Sequence, residues 1–371
     1  MGGNIKNNRV GSSVLEAAGI DLASGLTQTA IANKLYQWIN TNIQWNGWHS
    51  ISTHRTVAEI LKARSGDSGD LNKLMCTGLL HAGIIARPVL ISTRDHGRVL
   101  ELYPFLDQFN HLVVIAQLDG KDTWLDLGNK HLPMGMLQPP SLNQRGWIAD
   151  ELNPVWVDLK LPESKATYYV KGNLSPDGLF NGTLETRFTG YFNQHYRELE
   201  EKKEDIYGQD LLNNGKVNVS LTDITVTNKE DASMPFLLKA NIGNMPVANA
   251  SGDHIYLSHF TPAHFLDKPF KLERRTYPVE FNYPTEETVI MDIDIPQGYQ
   301  VETLPASVRF VNESNGIEIS YQASAEPAKV KVTMKYALRQ LHFDPKEYDA
   351  LKNIYDQRFQ KFSELIVLKK T

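Results

Sequence analysis

The chain has 371 residues, of which 41% are hydrophobic and 22% charged, a composition typical of globular domains with packed cores. Its net charge of −5 gives no basic surface of the kind that binds nucleic acid or anionic membranes, so we predict no nucleic-acid partner. No stretch approaches the roughly 18 apolar residues of a membrane span, and the single cysteine, Cys76, excludes internal disulfides and cysteine-based zinc sites.

Three amphipathic helices are predicted early in the chain, where apolar residues recur at helical spacing. They cover about residues 27–41, 56–63 and 68–82. Gly83 follows the third helix, in the usual position of a helix C-terminus. Residues 1–20 are interpreted as a linker, without the apolar stretch of a signal peptide.

An antiparallel sheet is predicted after these helices. Its strands cover about residues 84–92, 109–118 and 123–126, and Asp119-Gly120 is a strong hairpin signal. Residues 133–153 are rich in Pro, Gly, Gln and Asn and predict a long excursion that leads out of the first domain. Helices followed by an antiparallel sheet indicate an α+β fold.

From Val155 onward the pattern is that of short β-strands with turn signals such as Asp177-Gly178 and Asn181-Gly182. The predicted strands cover about residues 166–172, 182–189, 217–226, 236–240, 279–282, 287–295, 316–323 and 328–337. We interpret residues 156–371 as a β-sandwich region, either one module or two of about 156–275 and 276–371.

Two helices interrupt this β pattern. One covers residues 191–202, and the other begins at Asp344-Pro345, where Asp is a good N-cap and Pro suits the first helical position. The second carries an aromatic stripe that we expect to pack on the sandwich rather than bind a ligand. The aromatic residues of the stripe are Tyr348, Tyr355, Phe359 and Phe362.

Ser68, His111 and Asp126 are the candidate catalytic residues, in the chain order nucleophile, histidine, aspartate. The start of a helix stabilises an anionic nucleophile, a histidine acts as its base, and an aspartate orients the imidazole. Buried structural roles are the alternative for His111 and Asp126.

Four segments resemble the transglutaminase-like superfamily. They are Gly66-Asp67-Ser68-Gly69-Asp70, Ala82-Gly83-Ile84-Ile85-Ala86-Arg87, Phe109-Asn110-His111 and Trp124-Leu125-Asp126. The resemblance covers about residues 20–145. It implies a papain-like α+β domain over residues 21–155, in which helices pack on an antiparallel sheet and a Cys-His-Asp triad lines a cleft. In this chain Ser68 stands where the family has its cysteine. The resemblance also makes Trp45 or Trp48 a candidate cleft residue with an indole N–H for an oxyanion hole, and core packing is the alternative.

The β portion also carries a resemblance, to the C-terminal part of multidomain bacterial proteins in which β-sandwich domains of unknown function flank a transglutaminase-like core. Such proteins are frequent in Bacteroidetes and are typically exported. The resemblance therefore implies an extracytoplasmic location in the periplasm or at the cell surface.

The serine leaves several functions open. A serine hydroxyl is far less acidic than a thiol, and a helix dipole worth about 0.3–1 kcal/mol does not close that gap. We favour a catalytically degenerate module of an exported protein that either has a structural role or binds a peptide or glycan-bearing segment in the cleft. The alternatives are an active serine hydrolase or acyltransferase that uses Ser68, His111 and Asp126, an introduced Cys→Ser change, and a carbohydrate-binding β protein.

No cofactor or metal ion is predicted. Cys76 lies about 12 Å along the helix from Ser68 and is expected to be an inert, buried thiol. Asp67 and Asp70 are expected to cap the helix. A five-residue spacing places successive side chains on opposite faces of a strand, which argues against a metal site at the three histidines with that spacing. These are His254, His259 and His264.

Overall fold

The structure is a computed structural model that describes residues 8–103, 105–148, 150, 153–159, 162–202 and 220–371. The chain forms two compact units, residues 1–161 and 162–371, each with a hydrophobic core of its own. No helix among the described residues is long and apolar enough to cross a membrane.

Four helices belong to the first unit. They are α1 (Asn8–Ala17), α2 (Gln28–Asn42), α3 (Val57–Ala63) and α4 (Ser68–His81). The three predicted helices are confirmed, and threonine N-caps fix two of their starts, Thr27 for α2 and Thr56 for α3. The structure differs from the prediction at residues 8–17, where α1 replaces the expected linker. It packs on α4 with Val14 and Leu15 fully buried, which explains why it is ordered.

The helices pack on a five-stranded antiparallel sheet of order β5-β4-β3-β6-β7, beside a short parallel pair, β1 and β2. The strands are β1 (Gln44–Trp45), β2 (Ser65–Gly66), β3 (Ala86–Ile91), β4 (His111–Leu118), β5 (Lys121–Leu125), β6 (Arg145–Ile148) and β7 (Val155–Asp158). The predicted hairpin is confirmed, since Asp119 and Gly120 both have positive φ and join β4 to β5.

Residues 133–153 were predicted to lead out of the first domain, and this is wrong. The segment turns back through a short 3-10 helix at Pro139–Ser141, and β6 then pairs with β3. The Gly146 backbone approaches the Val89 side chain so closely that an added Cβ would lie 2.7 Å from it. A composition rich in Pro and Gly here reflects tight turns and close packing within the domain.

The second unit contains an eight-stranded sheet of order β10-β11-β9-β8-β15-β19-β18-β17 and a four-stranded sheet of order β12-β13-β21-β16, with β14 and β20 as a separate pair. The strands are β8 (Ser164–Leu174), β9 (Leu179–Phe188), β10 (Leu221–Thr227), β11 (Phe236–Pro246), β12 (Ala248–Ser251), β13 (His254–Leu257), β14 (Val279–Glu280), β15 (Thr285–Asp294), β16 (Tyr299–Thr303), β17 (Val308–Val311), β18 (Ile317–Glu326), β19 (Lys329–Leu338), β20 (His342–Phe343) and β21 (Ile366–Lys370).

One parallel pairing joins the two halves of the large sheet. β8 and β15 are paired over ten residues, from Ser164 opposite Thr285 to Asn173 opposite Asp294. Strands from both sides of residue 275 therefore form a single sheet instead of two separate sandwiches. The predicted turn at Asn181-Gly182 is wrong, since both residues lie inside β9, and residues 217–219 of a predicted strand lie outside the described residues.

Two helices pack on these sheets, α5 (Gly190–Lys202) and α6 (Tyr348–Phe362), close to their predicted positions. A 3-10 turn at Pro345–Glu347 precedes α6, and Asp344 and Glu347 form a capping box there. Tyr348, Tyr355 and Phe362 of the aromatic stripe are buried in the core, as predicted.

Candidate active site

Ser68 is the first residue of α4 and is fully buried. Asp67 is the N-cap, and its carboxylate accepts a hydrogen bond from the Asp70 N–H at 2.9 Å. The structure therefore confirms that residue 68 lies at the start of a helix and that Asp67 caps it. Asp70 was also expected to cap this helix. Its buried carboxylate instead pairs with the Arg55 guanidinium at 3.0 Å and with the Thr53 hydroxyl.

The hydrogen bonds of the Ser68 side chain go to the main chain of Ser50. The hydroxyl oxygen accepts from the Ser50 N–H at 2.8 Å and donates to the Ser50 carbonyl at 3.2 Å. The Ser68 N–H donates to the Trp48 carbonyl at 3.1 Å. Within the described part of the chain, no hydrogen bond joins Ser68 to His111. We call residues 48–50 the covering segment. Its main chain forms hydrogen bonds with both the hydroxyl and the N–H of Ser68.

His111 and Asp126 do form a hydrogen-bonded pair, and both side chains are fully buried. His111 begins β4 opposite Ile91 of β3, and Asp126 directly follows β5, so the hairpin register places them side by side. The distance from His111 Nε2 to Asp126 Oδ1 is 3.0 Å. The sequence thus predicted two residues that the fold does bring together.

Asp126 accepts hydrogen bonds from three residues. His111 is one, the Gln138 amide N–H and side chain donate at 2.8 and 3.2 Å, and the Ser141 hydroxyl donates at 2.8 Å. Burial alone raises the pKa of Asp126, but the charge of His111 and these hydrogen bonds outweigh it and hold that pKa below its ordinary value. A carboxylate held ionised in this way fixes the imidazole of His111.

His49 is the residue that sequence reasoning missed. Its Nδ1 lies 3.0 Å from Nδ1 of His111, and the two rings meet edge to face with centroids 4.6 Å apart. The half-buried His49 ring also packs on Trp45, with centroids 5.3 Å apart. Burial and the neighbouring His111 lower the pKa of His49, which favours its neutral form. No spacing rule marks this histidine, because it lies in a loop.

Two family matches follow the division seen in the fold. Residues 20–128 match the transglutaminase-like superfamily. The chain contains a transglutaminase-like domain. Residues 253–368 match DUF3858, described as a domain of unknown function with a solved structure. The predicted papain-like α+β core and the β-rich region with a C-terminal helix are thereby confirmed.

Solved structures give a more distant likeness. A protein described as a "putative protease" from Parabacteroides distasonis is 11% identical, with a TM-score of 0.57 over 98% of this chain and 55% of that one. This identity shows a shared fold alone, and the chain spans about half the length of that structure. An arylamine N-acetyltransferase from Salmonella typhimurium is 15% identical over 49% of this chain and 59% of that one, with a TM-score of 0.27. A comparison with curated proteins finds no match.

The indole N–H of Trp45 has a partner within the transglutaminase-like domain. It donates to the Trp48 carbonyl at 3.0 Å, so the donor that we assigned to an oxyanion hole is used by the covering segment. Trp45 instead contacts the site through its ring, which packs on His49 and lies against Gly128, whose added Cβ would be 3.2 Å from it.

The other candidates have partners of their own. The Cys76 thiol is buried against the Ala86 carbonyl, and burial raises its pKa to about 12, in keeping with an inert thiol. The three histidines with five-residue spacing in the second unit bond to three different residues. His254 pairs with Glu302, His259 with the Tyr321 hydroxyl and His264 with Glu287.

Proposed function

We propose that the transglutaminase-like domain has lost nucleophilic catalysis at position 68 and serves to bind an extended segment, a peptide or a glycan-bearing chain, in its cleft. The supporting observation is the state of the Ser68 hydroxyl, which is fully buried and bonded through both its proton and its oxygen to the Ser50 main chain. A hydroxyl is a weak nucleophile unless an adjacent base removes its proton. The nitrogen of His111 that is not bonded to Asp126 is occupied by His49.

The contacts of the covering segment favour a peptide as the ligand of this cleft. Its carbonyl and amide groups meet Ser68 as the main chain of an extended ligand would, with the Trp48 carbonyl on the first N–H of α4. Backbone groups at a helix start are suited to carbonyl oxygens. A ligand of this class enters by replacing the covering segment.

A fluorophosphonate probe tests the loss of Ser68 chemistry. We expect no covalent adduct on Ser68 by peptide mass spectrometry, at pH values on both sides of neutrality. Ser68→Ala is the matched variant, since it removes the hydroxyl alone. An adduct on Ser68 of the wild-type protein that disappears in Ser68→Ala would contradict the proposal.

An active serine hydrolase or acyltransferase is the second candidate, and the intact His111–Asp126 pair favours it. This function requires the covering segment to leave Ser68 and His49 to leave His111, so that Ser68 Oγ comes within hydrogen-bonding distance of the imidazole. Ester or amide turnover that depends on both Ser68 and His111 would establish it.

For the β-rich region we propose a structural role in an exported protein. The domain limits that we propose are residues 21–155 and 156–371, and the extracytoplasmic location rests on the resemblance alone. A glycan-binding role has less support, because three of the four aromatic residues of the stripe are buried. Cell fractionation of the source bacterium with an antibody to the second unit tests the location, and recovery in the cytoplasm would contradict it.

A further inference from the structure

A chain of two hydrogen bonds leads from the buried Asp126 carboxylate to His49. Asp126 bonds to His111 Nε2, and His111 Nδ1 bonds to His49 Nδ1, each at 3.0 Å. The burial of the three side chains decreases in the same order, since Asp126 and His111 are fully buried and His49 is half-buried. Neither Ser68 nor the covering segment's main chain takes part in this chain of bonds.

The hydrogen bonds determine the tautomer of each ring. An ionised carboxylate only accepts hydrogen bonds, so His111 donates from Nε2 to Asp126. When His111 is neutral, its Nδ1 is therefore an acceptor, and the hydrogen between the two rings belongs to Nδ1 of His49. His49 then carries its free lone pair on Nε2, for which the described residues offer no hydrogen-bond partner.

We propose that His49 is an acyl-accepting nucleophile, oriented by His111 and Asp126, for activated esters and thioesters. His49, His111 and Asp126 correspond to the nucleophile, base and carboxylate of a catalytic triad, with the imidazole N–H of His49 in the place of the serine O–H. This activity goes beyond a binding role and is independent of Ser68.

The step balances with water as the only other reactant. Nε2 of His49 attacks the acyl carbon, and the ester oxygen or thioester sulfur leaves with the bond electrons. The Nδ1 proton of His49 passes to Nδ1 of His111, whose imidazolium is stabilised by the Asp126 carboxylate at 3.0 Å. Water then adds to the acyl carbon, the acid is released, and the proton returns from His111 to His49 while the leaving group takes the proton of the water.

The surroundings of His49 suit this role. Trp45 packs on one side of the ring and restricts its orientation. The lowered pKa of His49 keeps the ring neutral near pH 7, and the charged groups that act on it are Asp126 and Asp95, with His111 as the neighbouring titratable ring. Because His111 takes the Nδ1 proton, the attacking ring has the basicity of an imidazolate, which expels weaker bases such as phenolates and thiolates. It does not expel the much more basic amine anion of an amide, so amides are excluded as donors.

Diethyl pyrocarbonate tests the nucleophile, because it transfers an acyl group to the same nitrogen and leaves a durable adduct. Peptide mass spectrometry of the full chain gives a rate for each histidine. We expect His49 to react at least about ten-fold faster than His254, a half-exposed histidine paired with Glu302 in the second unit. His111→Gln and Asp126→Asn should lower the His49 rate by about ten-fold.

Turnover of p-nitrophenyl acetate supplies the second readout. We expect His49→Gln to abolish it and His254→Gln to leave it unchanged. Since variants at the buried His111 and Asp126 risk misfolding, ¹⁵N NMR of the wild-type imidazoles provides a measurement free of substitution, and a protonated Nδ1 with a bare Nε2 on His49 is expected. Equal acylation rates at His49 and His254, turnover that survives His49→Gln, or the opposite tautomer would each overturn the proposal.

Discussion

Each unit buries a carboxylate beside a histidine, and the two pairs differ in what surrounds them. Asp126 and His111 are both fully buried, and the carboxylate takes further hydrogen bonds from Gln138 and Ser141. Glu287 is equally buried, but its histidine partner, His264, is 46% exposed. Burial of an acid is therefore common to both units. A buried histidine whose second nitrogen faces another side chain is found only in the first of these two pairs.

In the second unit a buried positive charge is stabilised by aromatic rings and a carbonyl group. The buried Arg358 guanidinium lies over the rings of Tyr355 and Tyr336, with centroids at 4.5 and 4.9 Å, and donates to the His264 carbonyl at 2.7 Å. Cation–π contacts of this kind strengthen when they are shielded from water. The second cluster therefore stabilises a core, whereas in the first the buried pair orients His49 through a hydrogen bond to its Nδ1.

Asp126→Ala is expected to have the largest effect on stability, a loss of about 3–5 kcal/mol in the free energy of unfolding, because it leaves several buried donors unpaired. Glu287→Ala is the matched variant, with an expected loss of about 1–2 kcal/mol, because water can hydrate His264. All six tryptophans lie in the first unit, so tryptophan fluorescence in urea follows that unit, and circular dichroism follows both. Equal losses at the two positions would remove the distinction between the clusters.

As the pH falls, we expect the second unit to lose stability first, because of His259. Burial lowers the pKa of His259 to about 4, while an unfolded histidine has a pKa of about 6.5. The folded state therefore binds fewer protons between these values, so its stability is complete above about pH 6.5 and falls by about 3 kcal/mol as the pH drops to 4. Asp126, with its lowered pKa, retains its contribution down to about pH 4.

His259→Gln is the variant that isolates this effect, because a glutamine amide does not titrate and can either donate to or accept from the Tyr321 hydroxyl, which bonds to His259 at 2.9 Å. We expect a flatter dependence of unfolding free energy on pH between 6.5 and 4, measured by urea titrations with circular dichroism. If the variant showed the same dependence of unfolding free energy on pH, a group other than His259 would cause the acid sensitivity.

The smallest expected effect concerns the reactivity of a thiol at position 68. After Ser68→Cys, iodoacetamide should alkylate the new thiol slowly, because the position is buried and His49 occupies His111. Adding His49→Ala should raise the alkylation rate by about ten-fold, since His111 can then form an ion pair with the thiolate. The wild-type protein is the control, as its only thiol, Cys76, is buried. A fast reaction in Ser68→Cys alone would show that the covering segment opens readily.

Local signals were strong enough to predict much of the first unit. Helix starts at Thr27, Thr56 and Asp67 have side chains that accept hydrogen bonds from amides a few residues ahead, and Asp119-Gly120 fits only a tight hairpin. The site was predicted because Ser68, His111 and Asp126 lie in segments that resemble the motifs of the transglutaminase-like superfamily, in the same order along the chain. These features depend on neighbours in sequence, or on motifs that a whole family repeats.

The residues that were missed depend on contacts between distant parts of the chain. His49 reaches His111 across 62 positions, and Gln138 and Ser141 reach Asp126 from a segment whose composition is that of a loop. The parallel pairing of β8 with β15 was missed for the same reason, since nothing local to either strand specifies a partner more than a hundred residues away.

That parallel pairing makes the second unit indivisible. The DUF3858 match begins at Asp253, after β8 and β12. A fragment cut at that residue would expose ten residues of β15 along the edge that β8 covers, and would also strip β13 of its partner β12. Bare edges of this length pair readily with other chains. The smallest fragment that contains both sheets with all their strands therefore starts before Ser164, more than eighty residues ahead of the first residue of the family match.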